Sequence, residues 1–252
     1  MIVPTQEAID ETKGSPSQLY KYREIDDLAL DALSQRKFWF ASPESFNDPF
    51  DSNILVPAPS GYSKIERAFI DADPSITPGR AKELLAGAID QMNMMAADVT
   101  KSGILSLSST PYELLMWSHY AKSHAGMCLQ LERHNGLDLA KRVDYGDKMP
   151  VMLKLMASEQ CMHGEAISKV LLTKAKSWQY EREWRINLFP KDGKMEKRLL
   201  EVDARLQAVI FGCKTSPEDI KRVKSAVAGH GRVEFYIMET IPEAFRLKPT
   251  PI

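Results

Sequence analysis

Two stretches of the chain gather side chains that could move a proton or hold a ligand. The first is Tyr112-Glu-Leu-Leu-Met-Trp-Ser-His-Tyr-Ala-Lys-Ser-His-Ala-Gly126. It predicts one short helix, with Pro111 suited to a first turn that needs no N–H and Gly126 suited to the position just past the end. At helical spacing Trp117, Tyr120 and His124 share a face, and His119 lies off it. The histidines and Tyr120 could form a pocket wall with acid–base capacity; Trp117 and Tyr120 at this spacing also build ordinary core. The second stretch, Trp178–Leu188, predicts a strand with Glu181, Glu183 and Arg185 on one face and Tyr180, Arg182, Trp184 and Ile186 on the other. Such a charged face is either a solvated row of ion pairs or a cleft wall. In a cleft, a carboxylate can stabilise developing positive charge or activate a hydroxyl. The flanking Trp178 and Trp184, whose burial would fix the strand, favour the cleft.

Metal chemistry finds little support in the spacing. His119 and His124 are five apart, about 140° around a helix, so they cannot chelate one ion as an i, i+4 pair does. The cysteines cluster with neither, and a zinc site would need the distant His163 or His230. No residue is therefore assigned to a metal. Asn47, Asp48 and Asp51 could take a cation or a polar ligand, but such side chains more often bond their own backbone. The chain has no GxxxxGK[ST], GxGxxG, GxSxG or HExxH pattern. ATPase, dinucleotide dehydrogenase, α/β-hydrolase and zincin readings lose their usual support.

Positioning these groups is the task of the elements around them. Leu19-Tyr-Lys-Tyr22 alternates like a short strand. Asp26 and Asp27 can cap a helix through Leu28, Leu30 and Leu33. Phe38–Ala41 is an aromatic-rich strand entering the turn Ser42–Asp51. A helix is expected over about residues 79–98, with Leu84, Leu85, Ile89 and Met92 as its core face. Further strands are expected at Gly103–Ser109, Met127–Glu132, Arg142–Tyr145, Leu206–Gly212 and Val233–Met238. Helices are expected over 150–174 and from Ser216 onward. Lys191–Lys194 has hairpin-turn composition, and the Pro-rich tail reads as extended. This irregular interleaving predicts the α+β class: a single domain, 18–252, with a mixed, largely antiparallel sheet and flanking helices, preceded by a loose arm over 1–17.

Composition bounds the surroundings. The 252 residues carry 33 basic and 34 acidic side chains, for a net charge of -1. That balance excludes a surface built wholly for nucleic acid, though not a local basic groove. Cys128, Cys161 and Cys213 are odd in number, far apart and without CxxC, which predicts free thiols and a cytoplasmic location. The acidic N-terminal residues lack the apolar stretch of a secretory signal. No run approaches the roughly 18 consecutive apolar residues of a membrane span, so no membrane partner is expected.

Four stretches in order carry a family resemblance: Leu19-Tyr-Lys-Tyr-Arg23, Phe46-Asn-Asp-Pro-Phe-Asp51, Met116-Trp-Ser-His-Tyr-Ala121 with His124 and Gly126, and Tyr180-Glu-Arg-Glu-Trp-Arg185. Together they resemble a bacterial family known as a domain of unknown function, over about residues 19–240. The resemblance implies that the four stretches belong together, and we expect them to converge on one cleft. At the level of the fold, the opening strand–helix–strand and Glu181-Arg-Glu183 are similar to ADP-ribosyltransferase-like domains. That likeness implies NAD as co-substrate and transfer of ADP-ribose to a macromolecule. It implies further that Tyr22 or Arg23 holds the phosphates or ribose, that Tyr120 or His119 packs against nicotinamide, and that Glu183, with Glu181 beside it, stabilises an oxocarbenium-like transition state. Arg185 stands with the cofactor-binding candidates. Two other classes compete. One is a metal-independent nuclease or phosphodiesterase, with His119 or His124 as acid–base and Arg185 on phosphate. The other is a non-enzymatic module binding nucleic acid or protein through Trp117 and Tyr120.

Overall fold

The computed structural model describes residues 15–156, 163–190, 195 and 198–252. Strand β1 (Gln18–Arg23) alternates its side chains between two apolar layers. Helix α1 (Asp27–Ser34) starts where the Asp26 side chain accepts the Ala29 N–H at 2.7 Å, the expected cap. After β2 (Lys37–Trp39) come α2 (Tyr62–Ala72) and α3 (Pro78–Lys101), the latter capped by Thr77 with Pro78 in its first turn. Of the face expected to be core on α3, Leu85 and Met92 are buried, and the stripe continues through Met95 and Val99. Then follow β3 (Gly103–Ser108), α4 (Leu114–Tyr120), β4 (Met127–Glu132), β5 (Lys141–Arg142), β6 (Asp144–Gly146), α5 (Met152–Met156), α6 (His163–Leu171) and β7 (Thr173–Ala175). The last elements are β8 (Glu183–Leu188), β9 (Leu199–Glu201), β10 (Arg205–Phe211), α7 (Pro217–Ala226), β11 (Glu234–Thr240) and β12 (Leu247–Pro251).

Eight strands form one sheet in the order β12-β11-β10-β4-β1-β3-β8-β5. Every neighbouring pair is antiparallel except β10–β11, which α7 connects as a parallel pair. This is the mixed, largely antiparallel α+β architecture that the element pattern predicts. One face packs Leu19, Leu129, Leu131, Val209 and Phe211 against Ala29 and Leu33 of α1 and Val223 of α7. The opposite face packs Tyr20, Tyr22, Cys128, Ile210 and Tyr236 against Met116 and Trp117 of α4. Period-2 alternation in β1 thus feeds both layers, because β1 sits in the middle of the sheet and has no solvent face.

The sheet is incompletely zipped at its centre. β1 pairs with β4 along its whole length, and β3 with β8 likewise. Between β1 and β3 the register holds a single pair, Tyr20 with Ser108. The two strands therefore splay from that point. At the far edge, β12 carries Pro249 and Pro251. The Ile252 N–H points inward to Phe235 O at 3.0 Å, so by alternation positions 249 and 251 face outward, where a missing N–H breaks no ladder bond.

Several local expectations change. The helix expected from Tyr112 to the exit at Gly126 is confined to Leu114–Tyr120. Pro111 lies before it, and its carbonyl accepts the Trp117 indole N–H at 2.7 Å. Lys122, Ser123 and His124 then take left-handed φ values of 48°, 52° and 71°. This reverses the chain and removes His124 from the face shared by Trp117 and Tyr120. The strand expected over Trp178–Leu188 is also broken. Lys176–Glu181 wind as a 3₁₀ turn, Arg182 is left-handed at φ 45°, and extended pairing begins at Glu183. The helix expected over 150–174 appears as α5 and α6 followed by β7; residues 157–162 lie outside the described residues. So do residues 1–14 of the arm and the Lys191–Lys194 turn.

Tight backbone contacts hold the reversal in place. A Cβ on Gly212 would sit 2.1 Å from the His124 carbonyl oxygen, and one on Gly126 would sit 2.3 Å from that of Arg23. Both obstacles are backbone, so neither can swing aside. Gly212→Ala is therefore expected to cost about 1–3 kcal/mol of stability, read as a lower urea midpoint. An unchanged midpoint would show that the Lys122–His124 turn yields.

Candidate functional site

The splay between β1 and β3 opens a cleft of about 390 Å³. Tyr20, Lys21 and Tyr22 line it from β1, and Ser106 and Ser108 from β3. Met116, His119 and Tyr120 of α4 form another wall, and Phe46, Asn47 and Asp51 reach in from the loop after β2. Lys174 of β7, Glu181, and Glu183 and Arg185 of β8 complete it. Residues from all four of the stretches that carry the family resemblance thus meet at one place.

At the floor lies a desolvated network of five charges. Arg185, 1% exposed, donates from Nε to Glu183 Oε1 at 2.8 Å and from NH2 to Glu183 Oε2 at 2.9 Å. It also donates from NH1 and NH2 to the two Asp51 oxygens at 2.8 and 2.6 Å. Its NH1 has the Ser52 hydroxyl at 3.0 Å and the Leu171 carbonyl at 2.8 Å. These contacts engage all three guanidinium nitrogens. Lys174 Nζ stands 3.3 Å from Asp51 and 3.2 Å from Glu183, and donates to Glu181. Three carboxylates against two cations leave one excess negative charge when all are ionised.

The two glutamates titrate apart. Burial pushes Glu183 up, but Arg185 and Lys174 outweigh it and hold its carboxyl down at about 2. Glu181 moves the other way, raised by its own burial and then by the neighbouring Glu183 charge. Its Oε1 accepts the Tyr120 hydroxyl at 2.6 Å. The Ser108 hydroxyl donates to the Glu181 backbone carbonyl at 2.7 Å, pinning the 3₁₀ turn to β3. The left-handed Arg182 then lets a residue outside the strand aim its carboxylate beside that of Glu183. At the rim, Asn47 Nδ2 reaches the Tyr120 hydroxyl at 3.5 Å, and His119 Nδ1 lies 3.1 Å from the Tyr180 hydroxyl.

Of the residues singled out in the sequence, Glu181, Glu183, Arg185, His119, Tyr120 and Tyr22 line the cleft; Arg23 and His124 do not. The Tyr22 hydroxyl is spent on the Thr110 carbonyl at 2.9 Å, and its ring meets Trp117 edge-on at 5.1 Å. Arg23 has Asp26 at 4.0 Å. His124 bonds through its backbone to Trp117 and Lys214, as the last residue of the left-handed turn. Trp117 is fully buried. Asp48 accepts the N–H of Phe50 at 2.9 Å, the local role expected of such a turn. Sequence reasoning missed Lys174, a lone lysine after a helical pattern, and Lys21, which alternation places among polar positions of a strand. It also missed that Asp51 pairs with Arg185 across 134 positions. The one available signal was that Asp51 closes the Phe46–Asp51 motif.

Among the described residues, no group of three or more His, Cys, Asp or Glu is arranged to hold a metal ion. Among them too, no helix is long and apolar enough to cross a membrane. Residues 116–186, from within α4 into β8, match a family described as "Protein of unknown function (DUF2971)". The matched region contains the Met116–Ala121 and Tyr180–Arg185 stretches and Lys174. No curated protein matches the chain, and no solved structure does.

The ion network makes a prediction about acid. A carboxyl held at about 2 in the fold, against an ordinary 4.5, stabilises fully above 4.5. That contribution fades as pH falls from 4.5 towards 2. Arg185→Met leaves the buried carboxylates of Asp51, Glu181 and Glu183 to share Lys174 and is expected to cost about 3–5 kcal/mol at pH 7. The loss should shrink at pH 3, where those carboxylates can protonate. Chemical denaturation at both values checks this, and an equal loss at each would refute the assignment.

Proposed function

We propose that the protein is an enzyme that cleaves the N-glycosidic bond of NAD and transfers ADP-ribose to a macromolecular acceptor, a protein or a nucleic acid. The observation that carries the reading is the Glu181–Glu183 pair: two carboxylates side by side in an aromatic-lined cleft, with proton affinities pushed in opposite directions. Pairs separated in this way are how enzymes divide acid–base work from charge stabilisation.

In this reading Glu183 stays ionised throughout and contributes fixed negative charge to the cleft. That charge opposes the positive charge that develops on the ribose as the glycosidic bond breaks. The bonding pair leaves with the pyridinium nitrogen, so nicotinamide departs neutral. The acceptor hydroxyl or amine then bonds to the anomeric carbon and gives its proton to Glu181, whose raised proton affinity suits a base. Tyr120 holds the Glu181 carboxylate in position, and the rings of Tyr20, Phe46 and Tyr120 offer apolar walls for the nicotinamide. We also propose a reducing bacterial cytoplasm as the setting, supported by the free Cys128 and Cys213. The competing readings each keep part of their residues: the phosphodiesterase retains His119 but not His124 in the cleft, with Arg185 bracketed by carboxylates, and the binding module retains Tyr120 while Trp117 is buried.

Glu181→Gln keeps the shape and hydrogen-bonding reach of the side chain and removes its basicity. Transfer of ADP-ribose from labelled NAD to macromolecules of a cell extract is expected to fall by about 10²-fold or more in this variant. Its circular dichroism should match the parent. If the parent neither binds nor consumes NAD, with or without extract, the proposal fails.

A further inference from the structure

The cleft holds three cations, and two of them are fully occupied. Arg185 is bracketed by Asp51 and Glu183, and Lys174 is surrounded by Asp51, Glu181 and Glu183. Lys21 is different. Its Nζ donates to the Ser106 backbone carbonyl at 2.8 Å. Among the described residues no carboxylate lies within ion-pairing distance of it. An ammonium has three donors, so two are left to face the cleft from the splayed edge of β1.

We infer that Lys21 is the anchor for a phosphate-class oxyanion in the cleft. A half-buried ammonium with no carboxylate in contact is a site that an anionic ligand completes, since its attraction is least screened where water is scarce. The groups around it leave that vacancy open. On its own strand Arg23 repels it and is drawn towards Asp26, and Glu183 attracts it from a distance without contacting it. Glu183, Arg185, Lys174, Asp51 and Glu181 are committed to one another, and His119 and Tyr120 to Tyr180 and Glu181. The cleft's volume and aromatic walls leave room for a planar group attached to the oxyanion, which points to a nucleotide phosphate rather than a bare ion. The inference rests on the same cleft as the proposed function but not on NAD being its substrate.

Burial and Arg23 together pull the Lys21 amine down to about 8. An oxyanion would restore its proton affinity, so binding near pH 8 should take up roughly half a proton per site. The test is calorimetric titration of the full chain with ADP and with inorganic diphosphate, at pH 8, in two buffers of different ionisation enthalpy. We expect ADP to bind with proton uptake, and diphosphate more weakly with the same uptake. Lys21→Met should weaken ADP binding by about tenfold or more without changing the folded spectrum. Lys21→Arg should keep binding and lose the uptake, because arginine is already protonated; a merely structural lysine would not show that split. Undiminished ADP binding by Lys21→Met, or no binding of either probe at millimolar concentration, overturns the inference. The two proposals separate cleanly. ADP binding with proton uptake but no NAD turnover removes the enzyme reading alone, whereas NAD turnover unaffected by Lys21→Met removes this one alone.

Discussion

Burying a guanidinium takes it out of water at a cost of several kcal/mol, which attraction offsets only when each donor finds a well-placed acceptor. Arg185 meets that condition by drawing on the loop that carries Asp51 and Ser52, the end of α6 at Leu171, and its own strand at Glu183. None of these segments adjoins another in the chain, and the loop after β2 is otherwise fixed by apolar contacts at its two ends, Phe40 and Ile54. Asp51 is the polar fastening between those ends, and through it Phe46 and Asn47 are held as a wall of the cleft. A lysine could not replace this arginine, because one ammonium cannot present two parallel forks to two carboxylates.

That fastening also explains why the sheet can remain open at its centre. A single register pair between β1 and β3 would leave a weak seam in a sheet held by ladder bonds alone. Here the strands flanking the seam are each fully paired on their outer sides, and charged and hydroxyl side chains bridge the gap: Lys21 to the Ser106 carbonyl, and Ser108 to the turn bearing Glu181. Space for a ligand therefore comes from withheld backbone pairing rather than from a missing side chain, and both faces of the sheet stay packed. Chemistry-bearing residues from β1, β3, α4 and β8 can then share one small volume.

How much of this was legible in the chain follows from how local each feature is. The caps at Asp26 and Ser216 are encoded within four residues and appear where their chemistry places them. Strand composition and patterning located β1, β3, β4 and β10 for the same reason. Both reversals escaped, because left-handed residues such as Ser123, His124 and Arg182 carry no glycine to announce them and persist only under tertiary contacts. A helical projection that assumed continuity thus put His124 with Trp117. Glu181 reached the site by a different route from the one expected, a turn rather than a strand face. Lys174 had no signature at all, since its role exists only once the distant Asp51 and a left-handed turn bring three carboxylates around it.

The outer edge of β12 has a bearing on how molecules of this protein meet one another. An unprotected edge strand is a template on which a second chain can add, the first step towards fibrous assembly. Pro249 and Pro251 place rings where two outward amides would stand, and at the opposite edge β5 is two residues long. Neither margin offers a ruler of donors and acceptors long enough to seat another strand. The sheet is thus self-limiting. Crowding many copies together should not extend the sheet from one molecule into the next at either margin, even though an unzipped seam lies at the heart of each.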